Sequence, residues 1–288
     1  MDRRITLEEE YLINLKLLKY LYKLGAEMSI TVSYKYNKTP VNRDKSYGSN
    51  IFTKFLLHLN GLLNILPTTV PVSKDPKGFN LPSICSLIRP LIETYFVFFY
   101  LIIDDINEKE KTLRLKVWEY YGNTLKEKAV KTKKLNKKSY LSIHNQNKKN
   151  FEEIKNMIVN DFPELTKRIK NIRNGRVRFL LPKKEISEKA GIDYQYLNSV
   201  YVISSWYIHT SFSSIFYMSS FNEFDENRAL KDLNKLTKII INFTSYALRD
   251  FVKLFPELQP MIQDEIFQEI LKQSVCLMKG ECKENAVD

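Results

Sequence analysis

Five polar residues in two apolar stretches have the types and spacing for acid–base chemistry on a phosphate. Arg89 and Glu93 stand four residues apart in a run that is otherwise mostly Ile, Leu, Phe, Val and Tyr. Tyr201, Ser205 and His209 are also spaced by four, in a long stretch that contains no Asp, Glu, Lys or Arg. Residues four apart share a helix face. Because a buried unpaired charge is very costly, we expect the two helices to pack with their polar lines together.

Such a set allows definite chemistry. His209 would act as general acid or base, and Glu93 would orient its ring. Arg89 would bind a phosphate and stabilise its charge, while Tyr201 and Ser205 would help to position the groups. Together they could cleave RNA without a metal, or bind an anionic ligand such as a small nucleotide. The same residues could instead form a structural network that fixes helix register, with His209 inert.

Other signatures of chemistry are missing from the sequence. His58 lies in an apolar helix and is predicted to be core, whereas His144 lies in a polar segment and is predicted to be exposed. The three His and three Cys have no zinc-ligand spacing, and no glycine-rich phosphate loop or dinucleotide turn is present. Ser205 has no Gly-x-Ser-x-Gly turn around it. We therefore predict neither metal nor cofactor.

Apolar periodicity predicts the helices that must position these residues. The low Gly and Pro content, with no convincing strand pattern, predicts an all-α fold: one domain over residues 1–288, built as a single bundle of about nine helices. Thr6 and Glu9 form a capping box, and the stripe that follows is predicted to end at Gly25. Further helices are predicted at Ser49–Leu66, Asn80–Ile103, Asn107–Lys133, Ser139–Asp161, Pro163–Asn174, Lys183–Ala190, Asp193–Ser220, Asp225–Phe255 and Pro256–Lys279.

Two of these helices are long and apolar enough to suggest a membrane. The stretches Leu81–Ile103 and Ser199–Ser220 each match the thickness of a bilayer. Arg89 and Glu93 lie near the middle of the first, where charges are expensive. We predict buried core helices and no membrane. The charged N-terminus lacks a secretory segment, and the scattered cysteines favour a reducing compartment, so we predict a cytoplasmic protein.

The net charge of +12 is concentrated in the middle of the chain. Residues 107–190 hold 23 Lys and Arg against 10 Asp and Glu, whereas the rest holds 22 against 23. This basic segment favours a partner that carries phosphate, RNA more than DNA, although a solvated helix face would have the same composition. Its predicted nucleic-acid contacts are Lys133, Lys134, Arg168, Arg173, Arg176 and Arg178.

The two polar helices resemble an uncharacterised family of bacterial all-helical domains. The resemblance rests on the segments Ser86–Glu93 and Tyr201–Ser211, and more weakly on Ile186–Ile192. Such proteins are distantly similar to HEPN domains, helical ribonuclease and nucleotide-binding domains of toxin–antitoxin and anti-phage systems. The HEPN signature places Arg four to six residues before His on one helix. No His here has an Arg at that spacing, so Arg89 and His209 would have to meet in space.

The sequence thus predicts a bacterial, nucleic-acid-directed protein, a ribonuclease-like effector of stress or phage defence. A non-enzymatic binding or scaffold protein and a sensor of a small anionic nucleotide remain the alternatives. The aromatic C-terminal helices offer a surface for a homodimer.

Overall fold

The computed structural model describes residues 5–37, 42–70, 80–132, 137–208 and 226–281. These ranges are helical apart from short connections and contain no strand, which confirms the all-α class. Their ten α-helices agree roughly with the number predicted. The helices are α1 (Leu7–Tyr36), α2 (Arg43–Ile65), α3 (Leu81–Phe98), α4 (Glu108–Thr132), α5 (Lys137–Asp161), α6 (Ile169–Arg173), α7 (Lys183–Lys189), α8 (Tyr194–Ile208), α9 (Glu226–Leu254) and α10 (Glu265–Met278).

Three tighter or wider helical turns complete the described chain. Phe99–Ile103 continues α3 as a π-helical turn. Pro163–Arg168 and Pro256–Ile262 form 3₁₀ turns that each start with Pro at the first helical position, where its missing N–H is harmless. The predicted helices at 163–174 and 256–279 therefore each divide into a 3₁₀ turn and an α-helix.

The chain divides into two compact units. The first unit comprises Met1–Ile103 with Ser187–Asp288, and the second comprises Asp104–Ile186. The basic segment predicted at 107–190 falls almost entirely on the second unit. Division by internal contacts is no test of independent folding, so the single domain over 1–288 stays a prediction.

Helix α1 shows how the first unit is packed. Its capping box forms as predicted: Thr6 Oγ1 accepts from Glu9 N, and Glu9 Oε2 accepts from Thr6 N. The predicted end at Gly25 is wrong, since the helix continues to Tyr36. A Cβ on Gly25 would lie 2.7 Å from Leu56 Cδ2 and 3.1 Å from Leu248 Cδ2. Glycine is needed here because α2 and α9 approach closely, not because the helix stops.

Aromatic side chains fill the core of the first unit. Phe52 on α2 stacks on Phe251 on α9, with ring centroids 3.8 Å apart. Tyr95 on α3 meets Phe243 edge to face. These rings are almost completely buried and join α2, α3 and α9. Helix α3 is thus a central element, and α8, the other helix of the predicted site, packs against it.

The apolar segment Leu81–Ile103 is the one candidate membrane span among the described residues. It is long and apolar enough to cross a bilayer, yet 67% of its most apolar window is buried inside the structure. A core helix has this property, as predicted. The cytoplasmic location stays a prediction.

The second unit is built on a hairpin of two charged helices. Helices α4 and α5 pack along one another, with the Pro163–Arg168 turn and α6 against α5. Eight buried residues form the core of this unit: Leu113, Val117, Tyr120, Phe151, Ile154, Ile158, Ile172 and Leu180. Their spacing of three and four along α4 and α5 leaves the remaining faces for charged residues.

Candidate functional site

The first predicted site lies where α3 packs against α8, and the structure describes four of its five residues. The guanidinium carbon of Arg89 stands 5.4 Å from the ring centroid of Tyr201, which is a cation–π contact between the two helices. Arg89, Glu93, Tyr201 and Ser205 are half-buried. His209 lies outside the described residues. The two polar lines therefore meet through Arg89 and Tyr201.

Ser205 has a structural contact that argues against a nucleophile. Its Oγ donates to the backbone oxygen of Tyr201, 2.7 Å away in the preceding turn. The neighbouring Ser204 bonds to Val200 O in the same way. Serine hydroxyls in apolar helices commonly satisfy themselves by such bonds. The proton of Ser205 is thus directed at its own helix.

The structure describes four of the six predicted nucleic-acid contacts. Lys133 and Lys134 lie outside the described residues. Arg173 and Arg176 are exposed near the end of α6, while Arg168 and Arg178 are partly buried. Arg173 covers the ring of Phe151 at 5.8 Å, and Arg178 covers that of Phe179 at 5.1 Å. The structure places Arg173, and none of the other described members, at the rim of a cavity.

This cavity, which we call the α4–α5 cavity, is half open to solvent and has a volume of about 570 Å³. It is formed entirely by the second unit. One face of α4, one face of α5 and the end of α6 supply its walls. The lining residues are Tyr120, Thr124, Glu127, Lys128, Lys131, Tyr140, His144, Asn147, Lys148, Phe151, Glu152, Arg173 and Asn174.

Glu127 holds the two helices together at the centre of the cavity. Its Oε1 lies 2.7 Å from His144 Nδ1, and its Oε2 accepts from Asn147 Nδ2 at 2.7 Å. Burial raises the pKa of Glu127, but the hydrogen bonds from Asn147 and His144 outweigh it and leave this pKa below its ordinary value. The carboxylate is therefore ionised at neutral pH.

Asn147 carries a second, unused polar atom. The residue is only 4% exposed, and its Oδ1 is buried without a hydrogen-bond donor among the described residues. The bond to Glu127 fixes the amide orientation, because a carboxylate needs a donor. A buried acceptor without a donor costs on the order of 1–3 kcal/mol.

Aromatic rings fix the charged groups of the cavity. The ring of Tyr140 lies nearly parallel to that of His144, at 15° and 5.8 Å between centroids. Tyr120 Oη donates to the backbone oxygen of Arg173 at 3.0 Å, which ties α4 to the end of α6. Burial raises the pKa of Tyr120, so its hydroxyl remains a donor. The ring of His144 is thus held by Tyr140 at its face and by Glu127 at Nδ1.

Four cations surround this centre: Lys128, Lys131, Lys148 and Arg173, all exposed. Against them stand the carboxylates of Glu127 and Glu152, and Glu152 also lies within 3.7 Å of Lys155. The cavity is therefore net positive and suited to an anion. Among the residues that the structure describes, no group of three His, Cys, Asp or Glu side chains could hold a metal ion.

Comparison with known protein families identifies the family of this chain. Residues 78–229 match the model of a family of unknown function, DUF5677. The chain belongs to this family. The DUF5677 match contains both predicted polar helices and the whole α4–α5 cavity. It confirms the resemblance to an uncharacterised helical family and gives no support to the more distant resemblance to HEPN domains. No curated protein and no solved structure matches the chain.

Sequence reasoning missed the residues at the centre of the cavity. His144 is half exposed, in line with its prediction, but it is bonded to Glu127. A signal was present in the spacing along the two helices. Thr124, Glu127 and Lys131 recur on one face of α4, and Tyr140, His144 and Asn147 recur on one face of α5. When two adjacent helices each carry a line of polar residues, the two lines predict one site between the helices. The same reasoning was applied to α3 and α8.

Proposed function

We propose that this member of DUF5677 binds nucleic acid, RNA in the first place, through the α4–α5 cavity and the basic surface around it. The observation that carries the proposal is the arrangement of Lys128, Lys131, Lys148 and Arg173 around a hydrogen-bonded Glu127–His144 pair. Lysine and arginine neutralise backbone phosphates, which supplies most sequence-independent affinity for nucleic acid. A role in bacterial stress or phage defence is the biological setting we propose for such binding.

The size and lining of the cavity favour one nucleotide of a strand over a small ion. A volume of about 570 Å³ lies in the range of cavities that enclose small organic ligands. Tyr140 and the rim contact between Arg173 and Phe151 offer flat surfaces on which a base can stack. The half-open shape lets a chain enter and leave, as a polymer requires.

The second unit also carries nearly all of the excess positive charge of the chain. Residues 104–186 hold 22 Lys and Arg against 11 Asp and Glu, and all other residues hold 23 against 22. The electrostatic attraction to a polyanion therefore originates in the second unit. Substitutions in the second unit can therefore test where RNA binds as well as whether it binds.

Two pairs of substitutions with the same change in net charge test the location. Lys131→Glu with Arg173→Glu alters the cavity, whereas Lys16→Glu with Lys19→Glu alters exposed residues of α1 in the first unit. The probe is a fluorescent 12-nucleotide single-stranded RNA, and its anisotropy is followed at several salt concentrations. We expect the cavity pair to lower affinity at least 10-fold and the α1 pair less than 3-fold.

The salt dependence supplies the second measurement. Each phosphate contact on a single strand contributes roughly 0.7 to the slope of log affinity against log salt. Loss of two cavity cations should therefore flatten the slope by about 1.4, and the α1 pair should leave it unchanged. Equal losses from the two pairs, or a flat response of the unaltered protein to salt, would contradict the proposal.

A structural role for the Arg89 set is the second candidate, and two contacts favour it over chemistry. Arg89 lies on the ring of Tyr201, and Ser205 bonds to its own helix. The first contact joins α3 to α8 and the second lies within α8, and neither needs a ligand. We expect Arg89→Met to lower the melting temperature and leave RNA affinity within 2-fold. A stable variant that no longer binds RNA would move the site to α3 and α8.

A further inference from the structure

The imidazole of His144 is held as a general base would be. Its Nδ1 bonds to Glu127, and the ring forms no other hydrogen bond with the described residues. The side chain is 50% exposed and lines the cavity. Tyr140 lies along the face of the ring and limits its rotation.

The ionised carboxylate of Glu127 determines which nitrogen is available. A carboxylate accepts a proton from Nδ1–H, so the neutral ring carries its lone pair on Nε2. The same carboxylate stabilises the imidazolium once Nε2 has taken a proton. This is the relation between carboxylate and imidazole that activates hydroxyl groups in hydrolytic enzymes. Asn147 holds the other oxygen of Glu127 and so keeps the carboxylate in place.

The cations around the pair would stabilise the charge that such a reaction develops. When an oxygen attacks a phosphodiester, negative charge grows on the phosphoryl oxygens. Preplaced donors and cations lower the energy of that state more than that of the substrate. Lys128, Lys131, Lys148 and Arg173 stand around the cavity that the base faces.

We propose that the α4–α5 cavity cleaves single-stranded RNA by transesterification, with His144 as the general base and Glu127 as its positioning residue. The inference rests on the proposed RNA binding and adds a reaction to it. Nε2 of His144 removes the proton of a ribose 2′-hydroxyl, and O2′ forms a bond to the adjacent phosphorus. The bond from phosphorus to O5′ breaks, and O5′ takes a proton from water.

The products follow from this balance of atoms. One fragment ends in a 2′,3′-cyclic phosphate, and the other begins with a 5′-hydroxyl. The imidazolium of His144 returns its proton to the hydroxide left by the water, so the enzyme is regenerated and nothing is oxidised or reduced. DNA lacks the 2′-hydroxyl and would bind without being cleaved.

The test uses the full chain and two forms of one 12-nucleotide sequence. The first is RNA, and the second carries 2′-O-methyl groups, so it binds without offering a nucleophile. Cleavage is measured on the first in a buffer with chelator, and its ends are identified by mass spectrometry. Affinity is measured on the second. We expect RNA fragments with cyclic phosphate ends and no cleavage of the methylated strand.

Three variants assign the roles. We expect His144→Ala to lower kcat at least 100-fold and to keep its affinity for the methylated strand within 3-fold, since general bases contribute about 10²- to 10⁴-fold. Added imidazole should restore part of its activity, which a structural role would not allow. Glu127→Gln should lower kcat about 10-fold or more at unchanged KM, as expected for a residue that positions the base. Gln146→Ala, on the same helix outside the cavity, should match the unaltered protein.

The outcomes separate this inference from the function on which it rests. Binding of the methylated strand without cleavage of the RNA overturns the reaction and leaves RNA binding in place. Cleavage that persists in His144→Ala overturns the assignment of the base. Absence of binding to either strand overturns the proposed function itself.

Discussion

The first unit buries a carboxylate, Asp250, and the second buries a guanidinium, Arg114. Asp250 on α9 is fully buried and accepts from Tyr95 Oη at 2.9 Å, with Arg249 and Lys253 on its other oxygen. Arg114 on α4 is 1% exposed and lies 2.7 Å from Asp104 and 2.6 Å from Glu110. Each buried charge has partners of opposite sign, as burial requires.

The opposite signs affect the two surfaces differently. Arg114 engages two of the 11 acidic residues of the second unit. Asp104 is buried beside Arg114, whereas Glu110 remains 29% exposed. The charges of the buried pair cancel, so 21 basic and ten acidic side chains remain for the surface of the second unit. In the first unit the buried charge is negative, and its cationic partners remain partly exposed.

The largest expected effects come from removing either buried charge. Asp250→Ala removes the acceptor of Tyr95 and Arg249, and Arg114→Met removes the guanidinium that lies 2.7 Å from Asp104, which is 8% exposed. Each should lower the free energy of unfolding by roughly 3–5 kcal/mol, the usual cost of removing one member of a buried ion pair. Denaturant unfolding measures the loss.

The partner residue provides the control for this prediction. Asp104→Asn added to Arg114→Met removes the charge of the Asp104 carboxylate and should recover part of the loss, because the two residues interact directly. If the double variant is as unstable as the sum of its single variants, Arg114 stabilises the second unit by packing and not by charge.

The next largest losses of stability are expected at two glycines with a left-handed backbone, one in each unit. Gly175 follows α6 at φ +59° and Gly191 follows α7 at φ +74°. A Cβ on Gly175 would collide with Thr124 Oγ1, whereas none of the surrounding atoms lies within 4 Å of a Cβ on Gly191. We expect Gly191→Ala to cost about 1 kcal/mol for the backbone and Gly175→Ala about 2–3 kcal/mol.

Thr124 also provides the control for the glycine comparison. Thr124→Ala should remove much of the excess cost of Gly175→Ala, because it deletes Oγ1 and Cγ2 and leaves only the Thr124 Cβ at 3.0 Å, as read from thermal melts of the single and double variants. Because Thr124 lines the α4–α5 cavity, the single variant Gly175→Ala should also weaken RNA binding, which Gly191→Ala should not. Equal melting temperatures for the two glycine variants would show that α4 yields to the added methyl group.

Local patterns predicted most helices, but not the contacts that end or extend them. The capping box at Thr6 is local, so the start of α1 was predictable. The role of Gly25 was not, because it depends on Leu56 and Leu248, which come from distant parts of the chain. The wrong end of α1 thus reflects a tertiary packing requirement that looks like a C-cap in one dimension.

The two candidate sites differ in predictability for the same reason. Arg89 and Tyr201 are unusual in their apolar helices, so composition alone marked them, and they are in contact. Glu127 and His144 are unremarkable in a charged segment and meet only because α4 and α5 pack with one particular register. That register is set by the apolar faces of both helices and cannot be derived from either alone.

Two buried tyrosine hydroxyls give a smaller contrast between the units. Tyr95 donates to the charged Asp250, and Tyr120 donates to the neutral backbone oxygen of Arg173. Hydrogen bonds to charged groups are stronger, so Tyr95→Phe should cost about 1.5–3 kcal/mol and Tyr120→Phe about 0.5–1.5 kcal/mol. Denaturant unfolding of both variants checks the order. A reversed order would mean that the link to the end of α6 contributes more to stability than the buried cluster.

The smallest effect concerns two acidic residues, one in each unit, whose pKa is lowered. Burial raises the pKa of Glu257, but hydrogen bonds from Tyr36, the backbone and Lys35 outweigh it and bring it to about 2. Glu127 is held below its ordinary pKa by Asn147 and His144. A carboxylate whose pKa is lowered by folding contributes stability that is fully present above the ordinary value of 4.5 and is lost as the pH falls through its folded-state pKa, which for Glu257 is about 2.

Both residues are partly exposed, so each contribution should be about 1 kcal/mol or less. Glu257→Gln and Glu127→Gln should therefore melt at slightly lower temperatures than the unaltered protein at pH 7, and the difference should shrink as the pH is lowered below 4.5. Thermal melts of the three proteins across this range check the sign. A difference that stays constant with pH would mean that both carboxylates act as hydrogen-bond acceptors whose charge does not affect stability.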